Sequence, residues 1–273
     1  MTRMSALVDS LEPPSSAFMR VSWGPMRETP LPRELAARKL RVVRPRDAID
    51  LYRDPAREFK RLADAGLLRS IARGYYVIPP MDALDDPQWQ PSAESLALAI
   101  AQADHGRDAS ALTAVSAARL LGAVPRGLAT AVVAIPARRR PLITSVAPIH
   151  FWERRAQELD LQRVDTELAE GWVTTAEQTI LDLADRPRLG GIGAGTASEA
   201  IWDLASRSDW QLVRELSLRQ GREASYARAA WASAGIAPSD VEMLKPRRLV
   251  ARRGLDSLSG APAADYGVLD DRR

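Results

Sequence analysis

The apolar positions between residues 31 and 80 change period several times within a short stretch. Their spacing predicts a short helix that opens at Pro32, a strand over residues 40–44 and a second short helix that opens at Pro45. A tight turn follows at Tyr52-Arg53-Asp54. Short elements of alternating type, separated by turns, indicate a compact unit that mixes helices and strands.

The most sharply delimited helix is predicted over residues 55–65. Asp54 is a favoured N-cap residue, Pro55 suits the first helical position, and Gly66 suits the position after the helix. Helical spacing separates two faces. The apolar face carries Phe59, Leu62 and Ala63, and the opposite face carries Arg57, Lys60, Arg61 and Asp64. We expect Lys60 and Asp64 to form an ion pair at spacing i,i+4.

A short β-hairpin is predicted after this helix. Residues 67–72 and 75–78 form its strands, and Arg73-Gly74 forms its turn. The order helix, strand, helix, turn, helix, hairpin is that of a winged helix-turn-helix, whose second turn-motif helix enters the major groove of DNA. The residues predicted to contact DNA are Arg44, Arg46, Arg53, Arg57, Lys60, Arg61, Arg69 and Arg73. The alternative is a solvated basic helix, since Glu58 and Asp64 reduce its positive charge.

The remainder of the chain predicts an α+β fold with a larger mixed α/β domain that becomes helical toward its C-terminus. Helices are expected over residues 92–103 and 112–121. Strands are expected over 128–136 and 161–164, and one or two more over 142–152. A further helix is predicted to begin after an N-cap at Thr174 or Thr175, and a flexible glycine-rich connector is expected over 189–196. Three more helices are predicted over 198–206, 209–219 and 223–234. The predicted domains are a flexible arm (1–30), the winged helix unit (31–80), an antitoxin or dimerisation domain (92–253) and a disordered tail (254–273).

Composition narrows the function classes. The chain has 273 residues, a net charge of +3 and no cysteine, so disulfides and thiolate metal sites are excluded. No apolar run is long enough to span a bilayer, and we expect a cytoplasmic protein with no membrane partner. Residues 1–80 hold 15 Lys+Arg and 9 Asp+Glu. This positive end is consistent with phosphate binding, but also with chance.

Candidate catalytic residues are few. His105 and His150 are the only histidines, and neither has partners at metal-ligand spacing. Asp182 and Asp185 are spaced i,i+3 on one predicted helix, and there we expect Asp185 to be solvated and Asp182 to support packing. The loop with Gly190 lacks the frame of a phosphate-binding loop. We therefore expect no enzymatic activity, no cofactor and no metal. We expect the tryptophans at 172, 202, 210 and 231 to be core residues, and any exposed one is a candidate for a toxin or dimer interface.

Several segments together resemble one protein family. The stretch Pro45–Pro80, which includes REFKRLADAGLLRSIARGYYVIPP (57–80), resembles the N-terminal domain of AbiEi-type antitoxins, in which a basic helix precedes a G-x-L…R-G-x-Y pattern. ALTAVSAARLLGAVPRG (111–127) and VVAIPARRR (132–140) resemble the central region of that family. VTTAEQTILDLADRP (173–187) is similar to its Thr-x-x-x-x-Thr-x-x-Asp-Leu-Ala signature, and SYARAAWASAG (225–235) fits its last helix. The long N-terminal arm departs from the family pattern.

The resemblance implies the antitoxin half of a type IV toxin–antitoxin pair. Such a protein represses its own promoter by binding repeat sequences in double-stranded DNA, with a possible homodimer on the DNA, and counteracts a nucleotidyltransferase-like toxin of AbiEii type. The alternative is a stand-alone winged-helix transcriptional regulator whose larger domain senses a ligand or dimerises. A third possibility, an enzyme, requires a pocket with converging acidic groups around Asp182 or His150.

Overall fold

The computed structural model describes residues 31–84, 86–124 and 129–234, which form an α+β fold with two sheets. The predicted arm (1–30), the predicted tail (254–273) and residues 235–253 of the predicted larger domain lie outside the described residues. The α-helices of the described part are α1 (Arg33–Ala36), α2 (Pro55–Asp64), α3 (Ala93–His105), α4 (Ala114–Leu120), α5 (Ala176–Asp185), α6 (Ala194–Ala205), α7 (Trp210–Arg219) and α8 (Glu223–Ser233). Its strands are β1 (Val42–Val43), β2 (Arg69–Ala72), β3 (Tyr75–Val77), β4 (Ala111–Leu112), β5 (Ala131–Ile135), β6 (Ile149–Glu153), β7 (Leu161–Asp165) and β8 (Glu170–Thr174).

Residues 31–80 fold around a small antiparallel sheet in the order β1-β3-β2. The β2–β3 hairpin turns at Gly74, whose φ of 81° requires the left-handed region that glycine tolerates best. Helix α2 begins as the sequence predicts, because the Asp54 side chain accepts a hydrogen bond from the Arg57 amide at 3.2 Å and Pro55 occupies the first turn. The predicted second helix differs: Pro45–Ala48 is a single turn of 3₁₀ helix.

The small sheet is covered on both faces. Side chains alternate along β3, so that Tyr76 and the following Ile78 face α1 and α2, while Tyr75 and Val77 face the opposite way. On the first face, Phe59 packs edge-on against Tyr76 with ring centroids 5.4 Å apart. On the second face, Val42, Ile71 and Val77 belong to the same core as the buried side chains of α3. Residues 31–80 and the larger domain thus share a core.

The second sheet has the strand order β6-β5-β4-β8-β7 and mixed pairing. Strands β5 and β6 run parallel, as do β4 and β8, whereas β4–β5 and β7–β8 are antiparallel. Along β5, Val132 faces the core of the C-terminal helices, and Val133 faces the core that contains α3. The sheet therefore lies between α3 on one side and the bundle α4–α8 on the other.

The glycine-rich connector predicted over 189–196 is an ordered part of this packing, because α6 begins at Ala194 and Gly190 is buried. Gly190 has φ 88°, and a Cβ placed there would lie 2.8 Å from Cγ2 of Val132. The backbone can approach the sheet this closely because glycine has no side chain. The prediction of a flexible connector was therefore wrong for this residue.

Candidate nucleic-acid interface

Helix α2 presents one apolar and one charged face. Phe59 and Leu62 are buried, whereas Arg57, Lys60 and Arg61 are exposed. The predicted ion pair is present, with Lys60 Nζ 2.7 Å from Asp64 Oδ2, and the hydrogen bond to Asp64 raises the pKa of Lys60. Arg61 Nε donates to Glu58 Oε2 at 2.9 Å. Two of the three exposed cations of this helix are therefore paired with carboxylates of the same helix.

Three of the predicted DNA contacts have no such partner. Arg53 and Arg73 are exposed, like Arg57, and no carboxylate of the described residues lies within ion-pair distance of any of the three. Arg53 precedes α2, Arg57 lies in its first turn and Arg73 forms the hairpin turn. Their guanidinium groups are available to phosphates or base edges without breaking an internal pair.

Arg44 and Arg46 turn toward the larger domain. Arg44 is 13% exposed and forms ion pairs with Asp47 and Asp104, and Arg46 Nη2 lies 3.0 Å from Asp104 Oδ1. The Asp104 carboxylate also accepts hydrogen bonds from the Tyr75 hydroxyl and from Arg139 Nη1, both at 2.6 Å. We call Arg44, Arg46, Tyr75, Asp104 and Arg139 the junction cluster. Arg44 is therefore engaged within the protein.

Arg69 likewise turns toward the protein. Its Nη2 donates to the carbonyl oxygen of Asp86 at 3.1 Å, and its Nε is buried with no hydrogen-bond partner among the described residues. The predicted DNA-contacting set thus divides into five surface cations (Arg53, Arg57, Lys60, Arg61 and Arg73), one exposed cation paired at the junction (Arg46), and two more that bind their own chain (Arg44 and Arg69). Arg139 of the junction cluster lies in the basic turn predicted at 138–140, but the sequence of that turn does not indicate that Asp104 is its partner.

Both carboxylates of the pair on α5 are held by other side chains, and they differ in burial. Asp182 is fully buried and accepts hydrogen bonds from Thr113 Oγ1 at 2.5 Å, Gln178 Nε2 at 2.9 Å and Arg222 Nη1 at 2.9 Å. Its expected packing role agrees with this placement. Asp185 is partly solvated, as expected, since its side chain is 29% exposed, but it also accepts hydrogen bonds from Arg222 Nη2 at 2.9 Å and from Ser225 Oγ at 3.0 Å. Burial raises the pKa of Asp182.

The histidine and tryptophan candidates differ in their exposure to solvent. His150 lies on the edge strand β6, and burial lowers its pKa. Within the described ranges, no group of three or more His, Asp or Glu side chains is placed to hold a metal ion.

Trp172 and Trp210 are half-buried, whereas Trp202 on α6 is 62% exposed. Among these tryptophans, Trp202 is therefore the exposed one.

Comparison with known proteins supports the fold. No protein-family model matches the chain, and no curated protein matches it significantly. The backbone is similar to the crystal structure of the RV2827C protein from Mycobacterium tuberculosis, with a TM-score of 0.51 and 20% sequence identity over 78% of each chain. At that identity, the likeness extends to the architecture alone. None of the helices in the described residues is long and apolar enough to cross a membrane.

Proposed function

We propose that residues 31–80 form a winged helix-turn-helix that binds double-stranded DNA through α2. The observation that carries the proposal is the placement of Arg53, Arg57 and Arg73 around a helix anchored by buried Phe59 and Leu62. These three guanidinium groups are exposed, and none is paired with a carboxylate of the part of the chain that the structure describes. A recognition helix needs this combination, since its apolar face holds its orientation while its donors reach phosphates and base edges. The β2–β3 hairpin lies beside α2 as the wing.

The test is a fluorescence-anisotropy titration of the full chain with the DNA upstream of its own gene. Arg57→Ala and Arg53→Ala are expected to weaken binding by about 1–3 kcal/mol each, about five- to 150-fold. The matched control is Arg155→Ala, since Arg155 is 77% exposed and lies far along the chain in a weak pair with Glu158 at 3.9 Å. Affinities that stay equal in all three variants would exclude α2 as the contact helix.

Arg61 and Lys60 belong to the same proposed DNA-binding face, but each is already paired with a carboxylate of α2. Each must release Glu58 or Asp64 before it contacts DNA, so Arg61→Ala is expected to weaken binding less than Arg57→Ala. A salt titration separates phosphate binding from base recognition. The slope of log K against log salt becomes shallower by about 0.9 for each phosphate that a variant no longer neutralises.

We further propose, on the family resemblance, that the protein is a cytoplasmic, non-enzymatic antitoxin that represses its own operon and counteracts a nucleotidyltransferase-like toxin. The segment with the family signature, 173–187, forms the N-cap and body of α5, with Thr175 capping the helix and Asp182 buried at its centre. The test is co-expression with the adjacent gene, followed by a growth assay and a pull-down. A neighbour that is neither toxic nor co-purified would rule out this role while leaving DNA binding intact.

The second candidate function is a stand-alone regulator whose larger domain senses a ligand. One observation favours it, a cavity of about 620 Å³ beside Trp152 in that domain. The adjacent gene distinguishes the two candidates, since the regulator needs no toxin partner.

A further inference from the structure

A cavity of about 620 Å³ opens where the end of β6 meets the C-terminal end of α5 and the turn between α7 and α8. Four arginines line it, namely Arg154, Arg186, Arg219 and Arg222. Three sequence segments that are distant along the chain contribute these side chains. The cavity therefore exists only in the folded larger domain, and no single motif marks it in the sequence.

The side chains in the inner wall and directly behind it hold more positive than negative charge. Arg222 donates to Asp182 and Asp185 at 2.9 Å each, and Arg154 Nη1 lies 3.5 Å from Asp182 Oδ1. Arg228 does not line the cavity but lies behind the wall, with its Nη2 3.6 Å from the same Asp185. These three arginine side chains are only 11–12% exposed, and they share two carboxylates. Buried charge that is not fully paired is costly, so the inner wall favours an additional anion.

Trp152 fixes the geometry of the guanidinium groups. Its buried indole ring lies 5.1 Å from the guanidinium carbon of Arg154, 5.1 Å from that of Arg186 and 4.9 Å from that of Arg222. Planar guanidinium groups held against an aromatic ring lose little further freedom on binding an oxyanion. Arg154 is also held by Gln220, whose Oε1 accepts from Arg154 Nη2 at 2.9 Å.

The mouth of the cavity carries the accessible donors. Arg186 and Arg219 are exposed, and neither has an ion pair with a carboxylate of the described residues. Glu153 and Glu158 also line the cavity, and Glu158 pairs weakly with Arg155 at 3.9 Å. These two carboxylates limit the net charge, which favours a ligand with a localised anionic group over a polyanion such as DNA.

We propose that this cavity binds a small ligand through a phosphate or carboxylate group held by Arg186 and Arg219 at the mouth, above the Arg154–Arg222 wall. A guanidinium fork matches the paired oxygens of either group. The volume lies within the range of small-molecule sites. The inference concerns the larger domain and holds whether or not α2 binds DNA.

Isothermal titration calorimetry on the full chain tests the proposal, with pyrophosphate and citrate as separate probes at constant ionic strength. Saturable binding of either probe is expected, and the tighter one identifies the oxyanion. Arg219→Ala and Arg186→Ala, which break no ion pair within the described residues, are each expected to weaken it about tenfold.

Arg155→Ala is the matched control, because its exposed side chain is adjacent in sequence to Arg154 but does not line the cavity. It is expected to bind like the wild type. The proposal is overturned if neither probe binds at about 10 mM, or if the mouth variants bind as tightly as the control.

Discussion

The Tyr75 hydroxyl donates a hydrogen bond to the Asp104 carboxylate at 2.6 Å and thereby ties the hairpin of the small sheet to the last turns of α3. Arg139 closes the triangle, because its Nη1 donates to Asp104 at 2.6 Å and its Nη2 donates to the Tyr75 oxygen at 3.0 Å. The same guanidinium lies 4.3 Å from the centre of the Phe151 ring. The orientation of the proposed DNA-binding unit is thus set by contacts with the larger domain.

Removing the shared acceptor is expected to loosen this junction. Asp104→Ala leaves Arg44 and Arg139 without a carboxylate that they share, and we expect it to lower the free energy of unfolding by about 1–3 kcal/mol. Tyr75→Phe removes only the hydroxyl. A double-mutant cycle of the two, measured by urea unfolding, is expected to give strongly non-additive losses, because the residues are in direct contact. Additive losses would show that the hydrogen bond is energetically unimportant.

Acid is expected to weaken the same junction. Burial alone raises the pKa of Asp104, but the hydrogen bond from Tyr75 and the charge of Arg139 outweigh it and hold the pKa below its ordinary value of 3.8. A carboxyl group with a depressed folded-state pKa adds stability above its unfolded-state value and loses it as pH falls through the folded-state value. The stability difference between wild type and Asp104→Asn should therefore be constant near neutral pH and shrink below about pH 4. Urea unfolding across this range measures it, and a difference that widens in acid would contradict the assignment.

Local signals in the sequence were sufficient for much of the fold. The Asp54 cap, Pro55 and Gly66 delimit α2 as predicted, because helix ends depend on residues within one turn. The strand β8 at Glu170–Thr174 was missed, and Leu112 was predicted to begin a helix although it ends the strand β4. Both strands pair within the larger sheet, where Leu112 of β4 aligns with Val173 of β8. Such pairing is decided by residues far apart in sequence, which periodicity does not register.

The candidate sites show the same division. Exposure of Arg57 on α2 follows from helical spacing, and it was predictable. The ion pair between Arg44 and Asp104 was not predictable, because these residues are 60 positions apart along the chain. The cluster of arginines around Trp152 likewise depends on three segments meeting in space. Sequence reasoning therefore placed the surface cations better than those held by tertiary contacts.

A buried ion pair beneath the larger sheet offers a second stability prediction. Glu94 on α3 and Arg119 on α4 form a salt bridge, and both residues are only 8% exposed. Burial raises the pKa of Glu94 and lowers that of Arg119. Glu94→Gln leaves the buried guanidinium of Arg119 without its carboxylate partner. We therefore expect the free energy of unfolding, measured in urea, to fall by about 3–5 kcal/mol. The double variant Glu94→Gln/Arg119→Met is expected to recover part of that loss, and a double variant less stable than Glu94→Gln would refute the electrostatic cause.

The exposed tryptophan gives a prediction about binding. Trp202 is 62% exposed on α6, so Trp202→Ser removes little buried surface and should leave the melting temperature within about 2 °C of the wild type. Under the proposed antitoxin function, the same variant is expected to lose co-purification with the toxin, because an exposed indole is a typical interface anchor. Leu218→Ser, a change at a 46% exposed position on α7, is the matched control. Full retention of the toxin by Trp202→Ser would remove this surface from the proposed interface.

Gly190 and Gly191 allow steric and conformational effects to be separated in neighbouring positions. Both have positive φ, 88° and 75°, but a Cβ at Gly190 meets Val132 at 2.8 Å, whereas a Cβ at Gly191 meets nothing within 4 Å. Gly191→Ala is therefore expected to cost about 1–2 kcal/mol from backbone strain alone, and Gly190→Ala about 1–3 kcal/mol more from overpacking. Val132→Ala in the Gly190→Ala background removes the methyl group that the new Cβ would meet, so the double variant should lose less stability than the sum of the single losses. Equal losses for the two glycine variants in urea unfolding would show that Val132 yields at no cost.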